Sequence, residues 1–410
     1  MKVKISLFNF FIFFLFYLSP IIDSLSGFLI LSHILQEGSA GTPSQLFRLL
    51  LILIMILLLK RKTYFYTALL FVLYITFIES FFALFHSGWY GYIIGLVYSS
   101  KIFYLLLIFL TLHYFYTIQK IDFMRLLFLN RNYFFISALL ICIPFFLGIG
   151  FNTYKEGTFG FKGFFAAGNG LGIFMGTGLL LTIYYWRIVR DLYSLFIVMV
   201  VFFSTIIIGS KTVLIFGAIA TLFIIFSFRN RIVSYSFFIV MLSTIVYFSH
   251  EIFNVLKIIF DVILYRYENN PSFSSFLMSS RDVFFTDAIK NISFEGIYLF
   301  RFFLGFGAYI SFRDPSSTYQ SIDSLESDLS DLFFMYGMIM LIIYLVFMFY
   351  ILIKSISKKI YSLSLIFGLL LIHSLIAGHV MFNGMSGVMI PIVSLLILSY
   401  KKPIDSNLRY

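Results

Sequence analysis

The chain has 410 residues, of which 61% are hydrophobic and 11% charged, with a mean hydropathy of +1.01. Soluble domains carry about 25% charged residues, so that class is excluded. The apolar runs last about 20 residues, which excludes a transmembrane barrel with its strands of about ten. The net charge of +11 falls in short Lys and Arg clusters between apolar runs. That is the pattern of membrane topology, not of a nucleic-acid surface.

The expected fold class is therefore an all-α polytopic membrane protein. Twelve spans are predicted near 5–31, 45–59, 63–84, 92–118, 133–151, 166–185, 192–209, 211–228, 232–250, 328–353, 360–378 and 380–399. The basic start "MKVK" is followed by no small-residue cleavage site, so the first span is read as uncleaved. With Lys2 and Lys4 placed inside, alternation puts every major basic cluster on the same face. These clusters are Lys60-Arg61-Lys62, then Lys120 with Arg125 and Arg131, Arg187 with Arg190, Arg229 with Arg231, Lys354 with Lys358 and Lys359, and Lys401 with Lys402 and Arg409. Both termini are then cytoplasmic. The single cysteine, Cys142, lies in an apolar run and excludes an intrachain disulfide.

The chain divides into spans one to nine (1–250), a long exterior loop (251–327) and spans ten to twelve with a basic tail (328–410). Within the loop, "IFNVLKIIFDVILY" (252–265) and "SSRDVFFTDAIKNI" (279–292) read as surface helices. The glycines of "FLGFGAY" (303–309) mark a tight turn. A long, structured exterior loop on an otherwise economical chain is where chemistry is expected.

Charge inside or beside the apolar runs supplies the candidates. Lys211 in "IIIGSKTVLIF" reads either as a snorkelling helix-end lysine or as a cation for a lipid-linked pyrophosphate. Glu79 and Lys101 lie in consecutive spans, and an intramembrane ion pair between them is expected. Of the loop arginines Arg281, Arg301 and Arg313, Arg281 stands at a helix start suited to an anion. In "SIDSLESDLSDLFFMYGMIM", the carboxylates Asp323, Glu326, Asp328 and Asp331 precede an apolar helix. Capping and the helix dipole account for Asp328 and Asp331 in part, leaving Glu326 as the residue with a separate task. No Walker lysine motif and no paired metal-ligand histidines occur, so no metal and no nucleotide cofactor is expected. "GNGLG" (168–172), with Asn169, opens a membrane helix with no strand before it, which favours close helix packing over phosphate binding.

Taken in order, these motifs resemble the O-antigen polymerase and O-antigen ligase superfamily. "GFKGFFAAGNGLGIF" is similar to its Asn-containing entry to a middle span, and "IIIGSKT" to its small-Ser-basic signature, with Lys211 where arginine is more usual. "SSRDVFFTDAI…FLGFGAY" resembles its Arg-led helix and Gly-x-Gly turn. "ESDLSDLFFMYGMIMLIIYL" resembles its span-ten entry. The resemblance covers most of residues 160–350. It implies twelve spans with a large, partly helical periplasmic loop between spans nine and ten, in a bacterial inner membrane. It also implies inverting, metal-independent glycosyl transfer in surface-polysaccharide (lipopolysaccharide) synthesis. The donor and acceptor would both be undecaprenyl-pyrophosphate-linked, with a chain-length regulator as a further partner. Glu326 would be the general base, with Lys211, Arg281, Arg301, Asp328 and Asn169 contacting substrate. Ligases typically carry histidine where Glu326 stands, so polymerase is favoured. Ligase is the alternative, and a lipid-linked oligosaccharide flippase the more distant one.

Overall fold

A computed structural model describes residues 6–35, 41–153, 160–166, 168–227, 281–290, 296, 299–309, 311, 325, 327–378 and 380–401, without the side chains at 83, 85–87, 169 and 281–284. The span expected at 232–250, the surface helix expected at 252–265, Arg313, Asp323 and Glu326 lie outside the described residues. Thirteen helices and one small hairpin make up the described part. They are α1 (Leu7–Leu31), α2 (Pro43–Leu58), α3 (Lys62–Phe82), α4 (Gly88–Thr117), α5 (Phe123–Phe146), α6 (Gly168–Val189), α7 (Leu192–Ile208), α8 (Lys211–Ile225), α9 (Arg281–Lys290), α10 (Leu299–Leu304), α11 (Asp328–Ser357), α12 (Tyr361–Ile376) and α13 (Met389–Ser399). The strands β1 (Phe151–Asn152) and β2 (Phe161–Gly163) pair antiparallel.

Six of these helices, α1, α3, α4, α5, α6 and α11, are long and apolar enough to cross a membrane. Their outward faces carry large apolar side chains such as Leu70, Phe146, Val346 and Ile353, each at least 60% exposed. A soluble surface does not tolerate so broad an apolar face. The chain is a multi-pass membrane protein. The apolar helices α2, α7, α8, α12 and α13 run 11 to 17 residues, shorter than the roughly 20 that a full crossing takes.

Local chemistry sets most helix ends. Asp122, Asp191 and Ser210 cap α5, α7 and α8, accepting from the amides of Arg125, Ser194 and Val213. Gly209, at φ 66°, turns α7 into α8 across two residues, as the tight 209–211 join requires. A π-helical turn at Phe14–Leu18 precedes Pro20 within α1, where the missing proline amide loosens the ladder. The helix expected within 279–292 is present as α9. Its Phe285 stacks edge-on to Phe334 of α11 at 5.9 Å, and its Ala288 is buried.

Two expected spans are corrected. The fifth begins at Phe123, ten residues before the expected 133, because Asp122 caps it there and Arg131 finds partners within the bundle. Arg131 donates to Ser194 and Asn132 and lies over the rings of Phe128 and Tyr185. The last, expected over 380–399, is helical across Met389–Ser399 alone. The amides of Val380 and Met381 leave the helix pattern to donate to Asp328 Oδ2, at 3.1 and 3.0 Å.

In the packing, α6 lies against α5, α7 and α8, while α13 packs on α4, α11 and α12. "GNGLG" works as a packing surface: a side chain at Gly170 would collide with Asn383, and one at Gly172 with Ser210. Near one end of the bundle, α11 breaks at Gly337, with φ 72° and ψ −177°. A break strands backbone carbonyls, and inside a membrane each must find a donor. Phe334 and Met335 accept from the amides of Phe306 and Gly307, at 3.1 and 2.9 Å, and Tyr336 accepts from Tyr74 Oη at 2.8 Å. The "FLGFGAY" turn supplies those amides, with Gly305 and Gly307 at φ near 80°.

Candidate functional site: a charged cavity inside the bundle

Four segments enclose a cavity of about 570 Å³: the second half of α1, the start of α2, the middle of α4 and the bent segment between α12 and α13. Its ionic lining is Asp23 from α1, Arg48 from α2 and Lys101 from α4, with Tyr104 and Asn383 beside them. Ser44, in the first turn of α2, donates its amide to Ser26 Oγ at 2.7 Å, which pins α2 to α1. One turn further on, Arg48 reaches Asp23, and Nη2 donates to Oδ1 at 2.5 Å. Asp23 is 8% exposed, and its other oxygen has no hydrogen-bond partner among the described residues.

Lys101 is the cation left over. Its ammonium stands 3.9 Å from the centre of the Tyr98 ring, a cation–π contact. It makes no hydrogen bond or ion pair among the described residues, although the charges of Arg48 and Asp331 both act on it. The expected pairing with Glu79 is not formed. Glu79 is fully buried and turns to the α10–α11 corner, where Oε1 accepts from Ala308 N at 2.8 Å and Tyr336 Oη at 3.2 Å. Among the described residues, the cavity lining therefore sets two cations against one carboxylate. Inside a membrane a charge is retained where it has a partner or a passing ligand to meet. An anion in this cavity would meet both cations in a low-dielectric setting, where charge-assisted hydrogen bonds are strong.

An apolar groove adjoins the cavity along the same two segments. Ile102 and Met381, the chain neighbours of the cavity residues Lys101 and Phe382, line a space of about 190 Å³ with Phe71, Leu106, Phe109 and Phe347.

Of the residues singled out from sequence, Asp328 and Arg301 are both buried. Asp328 Oδ2 accepts from Ser374 Oγ at 2.8 Å as well as from Val380 and Met381. It thereby fixes the bend that brings Asn383 to the cavity. Asp331 accepts from the amide of Leu325 at 2.7 Å. Arg301 donates to Ser311 O at 2.5 Å and lies 4.5 Å from the centre of the Phe306 ring. Lys211 opens α8 as an exposed residue and is not part of the cavity lining. Arg281 begins α9 and Asn169 lies in the first turn of α6, both placed by backbone alone. Glu326 lies outside the described residues, between the buried Leu325 and Ser327.

Sequence reasoning passed over Asp23, Arg48, Tyr104 and Asn383. The signal was present for the first two, each a lone ionisable residue within or at the edge of an apolar run. Compared with family models, curated proteins and solved structures, the chain matches none. Among the described residues, no three of His, Cys, Asp and Glu group as metal ligands do.

Proposed function

We propose that this protein is an O-antigen (surface-polysaccharide) polymerase, transferring a glycan from undecaprenyl pyrophosphate to a second lipid-linked repeat unit at the periplasmic face. The observation that carries the reading is Lys101. It is an intramembrane ammonium with no hydrogen-bonding partner among the described residues, in a cavity shared with Arg48 and adjoined by an apolar groove. Pyrophosphate on a polyprenyl tail is a ligand of that chemistry. The positive-inside distribution supports twelve spans, both termini in the cytoplasm of a bacterial cell, and the cavity toward the periplasm.

A polymerase holds two lipid-linked units at once. In this proposal Arg48 and Lys101 take the pyrophosphate of one, and Lys211 with Arg281 take that of the other. Glu326 removes the proton from the acceptor hydroxyl as its oxygen attacks the anomeric carbon. The bond from that carbon to the pyrophosphate oxygen breaks with inversion, and the electron pair leaves on the pyrophosphate, which the cations stabilise. Asp328 acts as a positioning residue through the 378–388 bend. The mechanism calls on no metal.

The test is polymer formation in reconstituted membranes supplied with undecaprenyl-pyrophosphate repeat units. Lys101→Met abolishes long polymer and leaves the protein folded, and unchanged chain lengths would remove the cavity from the reaction. Glu326→Gln gives the same loss, and normal chains from it sink the assignment of Glu326. Cells lacking the protein make lipid A-core bearing a single repeat. Bare core with accumulated lipid-linked polymer would instead identify a ligase, and absence of even the single repeat a flippase.

A further inference from the structure

A second cavity lies at the opposite end of the bundle, and the polymer reaction does not use it. It measures about 850 Å³ and is lined by Gln119, Tyr184, Arg187, Arg190, Tyr400 and Lys401, with Asp122 at one side. Three cations thus face one space. Arg187 donates to Ser362 Oγ at 3.4 Å and Arg190 to the carbonyl of Ser227, and neither meets a carboxylate among the described residues. Asp122 is already committed to the cap of α5, accepting from the amide of Arg125 at 2.6 Å. Burial and the neighbouring charge of Arg187 hold the Arg190 guanidinium below its usual pKa, the direction expected where cations crowd without an anion.

The backbone at this cavity is also unusual. Gln119 and Arg190 adopt left-handed φ values of 58° and 61° just past the ends of α4 and α6. Glycine is the residue that fits such a position without strain. Long polar side chains at both sites aim their functional groups at the same cavity, despite the steric cost. The surroundings are apolar and outward-facing: Leu192 is 85% exposed, Tyr361 68% and Tyr193 55%.

We propose that this cavity binds the phosphate-bearing headgroup of an anionic phospholipid from the leaflet at this end, with Arg187 and Arg190 as its principal ligands. The guanidinium forks match phosphate oxygens, and basic pockets between membrane helices take such headgroups. The same phosphate chemistry could be offered by free phosphate. The exposed apolar rim favours the lipid, because it places the mouth of the cavity among acyl chains. The site is independent of the proposed transfer reaction.

Trp186 provides the readout, since the Arg190 guanidinium lies 5.3 Å from the centre of its ring. The full chain carries two tryptophans, so a Trp89→Phe background isolates its fluorescence. In nanodiscs, brominated phosphatidylglycerol should quench Trp186 with about thirtyfold preference over brominated phosphatidylcholine, on the basis of about 1 kcal/mol for each of the two arginines. The preference should vanish in Arg187→Gln/Arg190→Gly, while the unfolding temperature holds because glycine suits the left-handed backbone at 190. Equal quenching by the two lipids, or a preference that survives the double variant, overturns the proposal. Displacement of the brominated phosphatidylglycerol by millimolar inorganic phosphate would assign the cavity to the free ion and overturn the lipid source.

Discussion

The two ends of the bundle use the same residue types under opposite physical conditions. At one end Arg48 and Lys101 stand among packed helices, and among the described residues the cavity lining has one carboxylate to offset them. At the other, Arg187, Arg190 and Lys358 stand at helix ends and donate to a hydroxyl or to backbone carbonyls. A cation at a helix C-terminus is favoured by the dipole and by nearby water. A cation between helices has lost its hydration and depends on its partner. Position relative to the bilayer, more than residue type, therefore sets how much a charge depends on its partner.

Removing a partner from the dry end should have the largest effect. Asp23→Ala strands Arg48 and should destabilise the fold by about 4 kcal/mol, visible as a fall in unfolding temperature in detergent. A change below about 1 kcal/mol would mean that water reaches the pair and shields it. Next comes Gly337→Ala, which forces a side chain into a left-handed break against the Phe303 carbonyl. It should cost about 3 kcal/mol from strain and lost packing, and a neutral result would show that the α10–α11 corner rearranges easily. Lys101→Met sharpens the comparison differently: stability should hold or rise, since a desolvated charge is gone, while polymer formation fails. At the wet end, Arg187→Gln should shift stability by about 0.5 kcal/mol or less. A loss as large as that of Asp23→Ala would erase the distinction between the ends.

Elements governed by local chemistry were legible in the sequence. The Gly209–Ser210 join, the helix at 281–290 and the Gly-x-Gly turn each follow from a glycine, a cap or an amphipathic spacing read over a few residues. The six long apolar helices follow from hydropathy for the same reason. The twelfth span failed because hydropathy weighs side chains, whereas the amides of Val380 and Met381 are claimed by Asp328, 52 and 53 positions away. The cavity was hidden by distance of another kind. Asp23 and Arg48 sit 25 residues apart on different helices, and no periodicity within either helix reports that they meet. Lys101 was legible as a misplaced charge, but its assumed partner was the acid of the preceding span. The fold sends Glu79 elsewhere, to Ala308 and Tyr336.

That choice of partners has a consequence for biosynthesis. Glu79 takes its hydrogen bonds from residues 229 and 257 positions further along. At about 5–20 residues per second, the ribosome delivers them on the order of ten seconds or more after α3 has emerged. During that interval the third helix carries an acidic side chain whose final donors do not yet exist. The early helices cannot lock into their final arrangement until the last third of the chain arrives. Assembly of this protein is therefore completed from its C-terminal side, with Glu79 as a latch that waits for that side to arrive.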